Sequence, residues 1–314
     1  ANSFNKYFTD IGSSLASKIP PSSTHFTDSL HNPNSSSFFL TPTDSQEIIK
    51  FGSALKSGHS CGFDGVSPTV VKHVLPCIAE TLSYIFNLSF LTASVPSSFK
   101  VAKIIPIFKS GEKRNINNYR PISILPCFSK ILERLVYNRL SNFTTHFQIL
   151  SDKQFGFRSN HSTDMALIDF VDNITNALTN KLCAIGVFID LSKAFDTINH
   201  EILLSKLDHY GVRGVPLHWI ADYLSGRYQY TSVANCDSNR LHIKHGVPQG
   251  SILGPLLFLL YINDLPHSSS LLNFTLFADD TTIFHSSSSI TSLIDTLNDE
   301  LICASSGLKQ INFL

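Results

Sequence analysis

The sequence predicts an α+β fold on three observations. Stretches of helical periodicity stand between strand pairs instead of alternating singly with strands, which argues against a repeated βαβ unit. Of the 314 residues, 43% are apolar and 15% charged, enough to bury one large core or two modest ones and too apolar for a disordered chain. Finally, Leu276-Phe277-Ala278-Asp279-Asp280-Thr281-Thr282-Ile283-Phe284-His285 reads as a strand, a tight turn and a returning strand.

Taken in order, residues 1–19 place Phe4, Tyr7, Phe8, Ile11 and Leu15 on one helical face. Residues 20–43, rich in Ser, Pro, Asn and Thr, read as a linker. Asp44 with Glu47 resembles a capping box opening a helix to about Lys56, followed by a glycine-punctuated loop at 58–65. Ser67-Pro68 caps a short helix, and a longer one occupies 76–93. Residues 99–108 are β-like, with Lys100, Lys103 and then Lys109 interleaved. A loop holding Asn117-Asn118-Tyr119-Arg120-Pro121 leads to an amphipathic helix over 128–147. After Gln154-Phe155-Gly156-Phe157-Arg158 another helix spans 162–181. Residues 182–189 form a nearly all-apolar strand ending at Asp190, the pattern of a strand covered on both faces. Helices at 200–210 and 215–224, strands at 228–233 and 241–245, an apolar helix at 251–264, the hairpin and a helix at 290–308 complete the chain.

Composition narrows the class. No basic start followed by an apolar run marks a signal peptide. The longest nearly unbroken apolar run, 252–262, contains Gly254 and Pro255 and is too short to span a bilayer, so no membrane partner is expected. Six scattered cysteines lack metal-ligand spacing and read as buried free thiols in a reducing, intracellular compartment. A net charge of zero argues against strong nucleic-acid binding by charge alone. The distribution is more informative: 100–139 holds nine Lys/Arg against Glu112 and Glu133, while 245–308 holds six Asp/Glu and no Lys or Arg. A phosphate track beside a metal site and two plain, oppositely charged surfaces both fit this pattern. The chain begins at Ala1 instead of Met and stops inside a helical pattern, so a fragment of a longer polypeptide is expected.

Two aspartates at a half-buried turn repel unless a cation joins them, and Mg²⁺ favours oxygen ligands and phosphate-bearing partners. Asp190 stands at the C-terminal end of its strand. If that strand lies beside the hairpin, Asp190, Asp279 and Asp280 converge. Three such carboxylates can hold two divalent ions that stabilise both the attacking and the leaving oxygen of a phosphoryl displacement. The alternative for Asp190 is an N-cap for a helix beginning near Ser192. Asp196 reads as a helix-surface residue.

Together, Phe277-Ala278-Asp279-Asp280, Phe188-Ile189-Asp190-Leu191-Ser192-Lys193-Ala194-Phe195-Asp196 and Gly246-Val247-Pro248-Gln249-Gly250-Ser251-Ile252-Leu253-Gly254-Pro255 resemble a reverse transcriptase. Asn118-Tyr119-Arg120-Pro121-Ile122-Ser123, Lys130-Ile131-Leu132-Glu133 and Gln154-Phe155-Gly156-Phe157-Arg158 narrow the resemblance to the polymerase of non-LTR (LINE-type) retrotransposons. It runs from about 55 to 298 in the family's order. It implies a right-hand polymerase: fingers at 55–181 and 227–249, and a ferredoxin-like palm sheet backed by helices at 182–226 and 250–308. Residues 1–54 are then an N-terminal extension packing on the fingers. Beyond Asn298 the chain departs from the family at Ser305-Ser306-Gly307-Leu308, so the thumb is expected to be largely missing.

Carried over by residue, Asp190 and Asp279 resemble the ligands of two Mg²⁺ ions, with Mn²⁺ as a substitute, and Asp280 the auxiliary carboxylate. Phe195 resembles the residue beneath the incoming sugar, where it clashes with a 2′-OH; a core aromatic is the compatible alternative. Gln249 resembles the residue contacting the nucleotide, and Gly250 allows close backbone approach. Lys109 and Arg120 resemble the cations that hold the triphosphate, and Lys100, Lys103, Lys113, Arg114 and Arg158 are weaker candidates for template and primer backbone contacts. Solvated surface is the alternative for each cation. His161 and His200 look non-catalytic. The implied function is reverse transcription with an RNA template, a DNA primer and dNTPs, in cytoplasm or nucleus. A catalytically inactive remnant or a nucleic-acid-binding module that keeps the fold is the competing reading. An RNA-templated RNA polymerase fits Phe195 poorly.

Overall fold

In the computed structural model, which describes residues 1–17, 30, 33–58, 60–191 and 193–310, β-prone runs far apart in sequence pair into two sheets. In the first, β1 (Val101–Phe108) lies antiparallel to β2 (Tyr119–Ile124) and parallel to β4 (Arg227–Val233). The short strands β5 (Cys236–Asp237) and β6 (Leu241–Ile243) pair antiparallel with β4. β2 occupies a stretch expected to be loop. Its Pro121 stands directly opposite Pro106 of β1. Neither proline has an N–H to give, so they share a position where the ladder needs no donor.

The second sheet has the order β3-β8-β7, all antiparallel: β3 (Cys183–Asp190), β8 (Asp280–Ser287) and β7 (Asn273–Phe277). β3 is an edge strand whose residues alternate between half-buried and exposed, and Phe188 is 72% exposed. The expectation of a strand covered on both faces is therefore wrong. One face of the sheet, through Phe274, Leu276 and Ile283, joins the main core. The helix on the other face, α5 (Thr163–Thr179), packs chiefly on β7, where Thr275 Oγ1 donates to Asp169 Oδ2 at 2.6 Å. It reaches β3 through Phe170, whose ring lies 5.6 Å from that of Phe188.

α1 (Asn2–Ala16) lays Phe4, Tyr7 and Phe8 against Ala102 and Ile104 of β1 and Leu125 just beyond β2. Asp44 caps α2 (Ser45–Ser53) by accepting the Glu47 N–H at 2.8 Å, while the Glu47 carboxylate goes to Arg139 instead of closing the box. α3 (Pro68–Thr92) is one 25-residue helix running through Pro76, not two. Val71, Leu75, Ala79, Leu82, Phe86 and Phe90 keep a single buried face, and that burial outweighs the roughly 3 kcal/mol an interior proline costs. Unbroken, α3 is long and apolar enough to cross a bilayer, a length the split reading hid. Here its buried face belongs to the main core.

The remaining helices are α4 (Cys127–His146), α6 (His200–His209), α7 (Val215–Leu224), α8 (Gly254–Ile262) and α9 (Ile290–Gln310). α8 is buried on all sides. All six cysteines are free, but Cys77, Cys236 and Cys303 are exposed, against the expectation of burial. Much of the expected linker, at 20–29 and 31–32, lies outside the described residues, as do 18–19, His59, Ser192 and 311–314.

Candidate active site

The hairpin turn is Ala278-Asp279, and Ala278 takes a left-handed φ of 57°. An L-residue pays roughly 1–2 kcal/mol for that conformation, so something must hold it. Gln154 does so. Its Oε1 accepts the Ala278 N–H at 2.9 Å and the Gly156 N–H at 2.8 Å, and its Nε2 donates to the Ala278 carbonyl at 3.4 Å. The Phe155 N–H donates to the Leu276 carbonyl at 2.8 Å. A Cβ on Gly156 would stand 2.2 Å from the Ala278 nitrogen, so only glycine lets this brace close. Arg158 completes it, with Nη1 donating to the Ser151 and Gln154 carbonyls at 2.6 and 3.0 Å. Arg158 Nη1 thus belongs to the brace.

Asp190, ending β3, lies directly opposite Asp280 on β8, with Asp279 half-buried in the adjoining turn. Like charges opposite one another across a ladder are unfavourable. Burial raises the Asp279 carboxyl above its usual range, and repulsion from Asp280 and Asp190 adds to the rise; its own backbone N–H and Arg120 pull it back. Asp190 and Asp279 border an open cleft of about 500 Å³ whose lining also includes Lys109, Arg120, Phe195 and Gln249, while Asp280 lies outside that lining. Six residues singled out in the sequence thus meet there. Lys193, which sequence reasoning passed over although it lies inside a quoted motif, lines it too.

Among the described residues, no group of three or more His, Cys, Asp and Glu side chains forms a metal-holding cluster. The carboxylates are neighbours at the cleft, not a closed cage. Their chemistry nonetheless fits a hard divalent cation, because they supply oxygen donors whose mutual repulsion such an ion relieves.

Of the other expected cations, Lys103 is half-buried in β1 and outside the cleft lining. Lys100 is buried in an ion pair with Asp222 at 2.8 Å, which withdraws it from any template contact. Asp190 caps no helix: the next element along the chain is a single 3₁₀ turn, Ala194–Asp196, entered from Lys193. Within that turn the Phe195 ring stacks on Phe258 at 4.8 Å and meets Phe157 edge-on at 6.1 Å.

The loop 246–250 is stitched to this turn. The Val247 and Gly246 N–H groups donate to the Phe195 and Ile198 carbonyls, each at 2.8 Å. His200 Nε2 lies 2.7 Å from the Gly246 carbonyl oxygen, a structural bond consistent with a non-catalytic histidine. On the opposite side the Ser123 N–H donates to the Gln249 carbonyl at 2.8 Å. Gly250 has φ +115°, and a Cβ there would lie 2.7 Å from the Ser123 carbonyl oxygen. Its freedom serves close approach to β2.

Two acids were missed. Asp196 is not a helix-surface residue: its Oδ2 accepts a 2.8 Å hydrogen bond from Gln249 Nε2, and burial pushes its carboxyl up to about 6. Glu133, 1% exposed on α4, accepts the Ile252 N–H at 2.6 Å and the Leu253 N–H at 3.4 Å, holding the entry to α8. Its position on one stripe with Leu132, Val136 and Leu140 was the available signal, since a charge in an apolar stripe needs a partner.

Comparison with known proteins identifies the family. The sequence profile of the family described as reverse transcriptase (RNA-dependent DNA polymerase) matches residues 109–309. The chain is 35% identical over 246 residues to the probable RNA-directed DNA polymerase from transposon BS of Drosophila melanogaster, covering 76% of this chain and 26% of that protein. Over 289 residues it is 30% identical to the RNA-directed DNA polymerase from mobile element jockey of the same species, covering 90% and 30%. It is also 30% identical over 234 residues to the probable RNA-directed DNA polymerase from transposon X-element, covering 72% and 25%. The chain thus spans between a quarter and a third of the length of these relatives. With the cleft residues Lys109, Arg120, Asp190, Phe195, Gln249 and Asp279 all inside the matched span, the chain belongs to the reverse transcriptase family.

Proposed function

We propose that this chain is the polymerase region of a non-LTR retrotransposon protein and extends a DNA primer on an RNA template with dNTPs. The observation that carries the reading is the cleft, where cations, carboxylates, an aromatic ring and an amide from widely separated segments share one opening. The first sheet with α3 and α4 acts as fingers, and the second sheet with α5 to α9 as palm. α1 fastens the N-terminal extension to the fingers.

In this reading Lys109 and Arg120 receive the triphosphate, Lys as a point charge and Arg as a planar fork. They offset the negative charge that builds on the phosphorus and on the departing pyrophosphate. Asp190 and Asp279 would hold divalent cations, Mg²⁺ or Mn²⁺, with Asp280 in support. When bound, such ions stabilise the attacking primer 3′-oxygen and the leaving oxygen. Phe195, fixed by stacking on Phe258, fills the space a ribose 2′-OH needs and so favours dNTPs. Gln249 touches the incoming nucleotide.

The test is primer extension by the full chain on oligo(dT)-primed poly(rA) with dTTP and Mg²⁺. The expected result is extension that Asp279→Asn abolishes. RNA binding without any extension would instead assign the chain to a non-catalytic nucleic-acid-binding role.

A further inference from the structure

The solvent side of α3 carries a repeat that its buried side does not explain. Val70, Val74, Cys77, Thr81, Tyr84, Leu88 and Leu91 follow one another at alternating steps of four and three, the spacing of a coiled-coil seam. At about 100° per residue they fall on one stripe, opposite the face that buries Val71, Leu75, Ala79, Leu82 and Phe86. All seven are exposed, Tyr84 at 71% and Leu91 at 78%. A surface helix ordinarily gives that side to charged residues. Here only His73 and Glu80 border the stripe, and no Lys, Arg or Asp stands on it.

With Ile85 and Phe39 beside it, the stripe exposes roughly 800 Å², about what one partner gives to a standard-size interface and more than the apolar patch of a typical monomer. We propose that two copies of the chain pair through this stripe as an antiparallel dimer with two-fold symmetry. A nucleic acid would find no cation on it. The other face of α3 belongs to the main core, so one side alone is on offer, which suits a facing helix and not a bilayer span.

Side-chain size sets the direction. In an antiparallel pair centred between Thr81 and Tyr84, Tyr84 meets Thr81 of the second copy, Leu88 meets its Cys77 and Leu91 meets its Val74. Every layer then sets a large side chain against a smaller one. A parallel pair would instead stack Tyr84 on Tyr84 and leave Thr81 facing Thr81. The antiparallel register also brings Glu80 beside Asn87 of the second copy, so no like charges meet. Val70 of the second copy falls one turn past Leu91, at an apolar hollow of about 230 Å³ bordered by Phe39, Leu91, Val215 and Pro216. None of the stripe residues lines the cleft, so the pairing is separate from the site described above.

Sedimentation velocity of the full chain over a range of micromolar concentrations tests it, with thermal melts to confirm that each variant is folded. Wild type should pass from monomer to dimer as concentration rises. Leu88→Glu, which places a charge at the middle of the seam, should raise the dimer Kd at least about tenfold. Leu167→Glu, at an exposed leucine of α5 away from the seam, should leave it unchanged. Cross-linking with a short bismaleimide reads the direction. Thr81→Cys in a Cys77→Ser background should link two copies, because residue 81 lies beside the two-fold axis. The two native Cys77 thiols stand about three turns out of level, roughly 16 Å along the axis, so wild type should link no more than Cys77→Ser. A monomer at every concentration, a dimer that Leu88→Glu leaves intact, or efficient linkage through Cys77 would each overturn the proposal. So would a monomeric wild type that cosediments with phosphatidylcholine vesicles and loses that binding in Leu88→Glu, which would give the stripe to a lipid surface.

Discussion

Removing the Glu133 carboxylate should be among the most damaging single changes in the chain. In Glu133→Ala the Ile252 and Leu253 N–H groups, now 2.6 and 3.4 Å from Oε2, lose their acceptor at a buried helix entry. Ser129 Oγ, 3.3 Å from Oε1, loses a partner as well. Arg227, 1% exposed with Nε and Nη2 unpaired, loses the carboxylate whose field compensates its charge. Hydrogen bonds to a charged acceptor contribute about 1.5–3 kcal/mol, and leaving a buried charge uncompensated costs about 3–5 kcal/mol. Part of this is already offset, because burial raises the Glu133 carboxyl and makes its ionised form expensive. The low end, about 3 kcal/mol, is therefore the expected loss. Urea unfolding of the full chain measures it. Glu133→Gln retains an acceptor for Ile252 and should lose about half as much. A loss below about 1 kcal/mol for Glu133→Ala, or equal losses for the two variants, would refute the reasoning.

The same geometry sets three further outcomes. Burial holds the folded Asp196 carboxyl at about 6, above the ordinary 3.8, so folding favours the protonated form. The stability is then fully present below the unfolded value and is lost as pH rises through 6, by up to about 3 kcal/mol at pH 8. Asp196→Asn should accordingly raise the melting temperature by a few degrees at pH 8 and progressively less towards pH 4; a gain independent of pH would contradict this. Gly156→Ala drives a Cβ to 2.2 Å from a backbone nitrogen of the hairpin turn, which no rotamer relieves. Its expected cost is about 2–3 kcal/mol in urea unfolding, together with at least a tenfold fall in extension rate, and a neutral result would show that the turn needs no brace. Phe195→Ala should narrow the preference for dTTP over UTP by an order of magnitude or more in single-nucleotide incorporation, and an unmoved ratio would return Phe195 to a packing role.

Local chemistry was legible where one residue decides the structure. Asp44 and Ser67 announce helix starts, and each accepts the N–H three residues on. The hairpin and the apolar α8 were equally plain. Errors arose where a tertiary partner overrides a local signal. Pro76 reads as a break, but the apolar stripe from Val71 to Phe90 continues across it. Pro121 and its polar neighbours read as loop, yet β1 supplies a facing strand whose own proline matches. β3 is apolar enough for a central strand, but the order of the sheet leaves it at the edge. The cleft residues were recoverable because chain-distant motifs kept family order. Asp196 departed from its expectation because nothing local reveals that a carboxylate will be folded against an amide.

The aspartates at the cleft carry the polymerase reading most directly. The decisive measurement is the rate of dTTP incorporation on primed poly(rA), with Mg²⁺, by wild type and by Asp190→Asn, Asp279→Asn and Asp280→Asn, each checked for retained RNA binding. The predicted order is wild type, then Asp280→Asn reduced but active, with Asp190→Asn and Asp279→Asn down by at least about a thousandfold, the scale of losing electrostatic stabilisation at the transferring phosphorus. Extension at the wild-type rate by either of the last two would place the chemistry elsewhere and contradict the assignment.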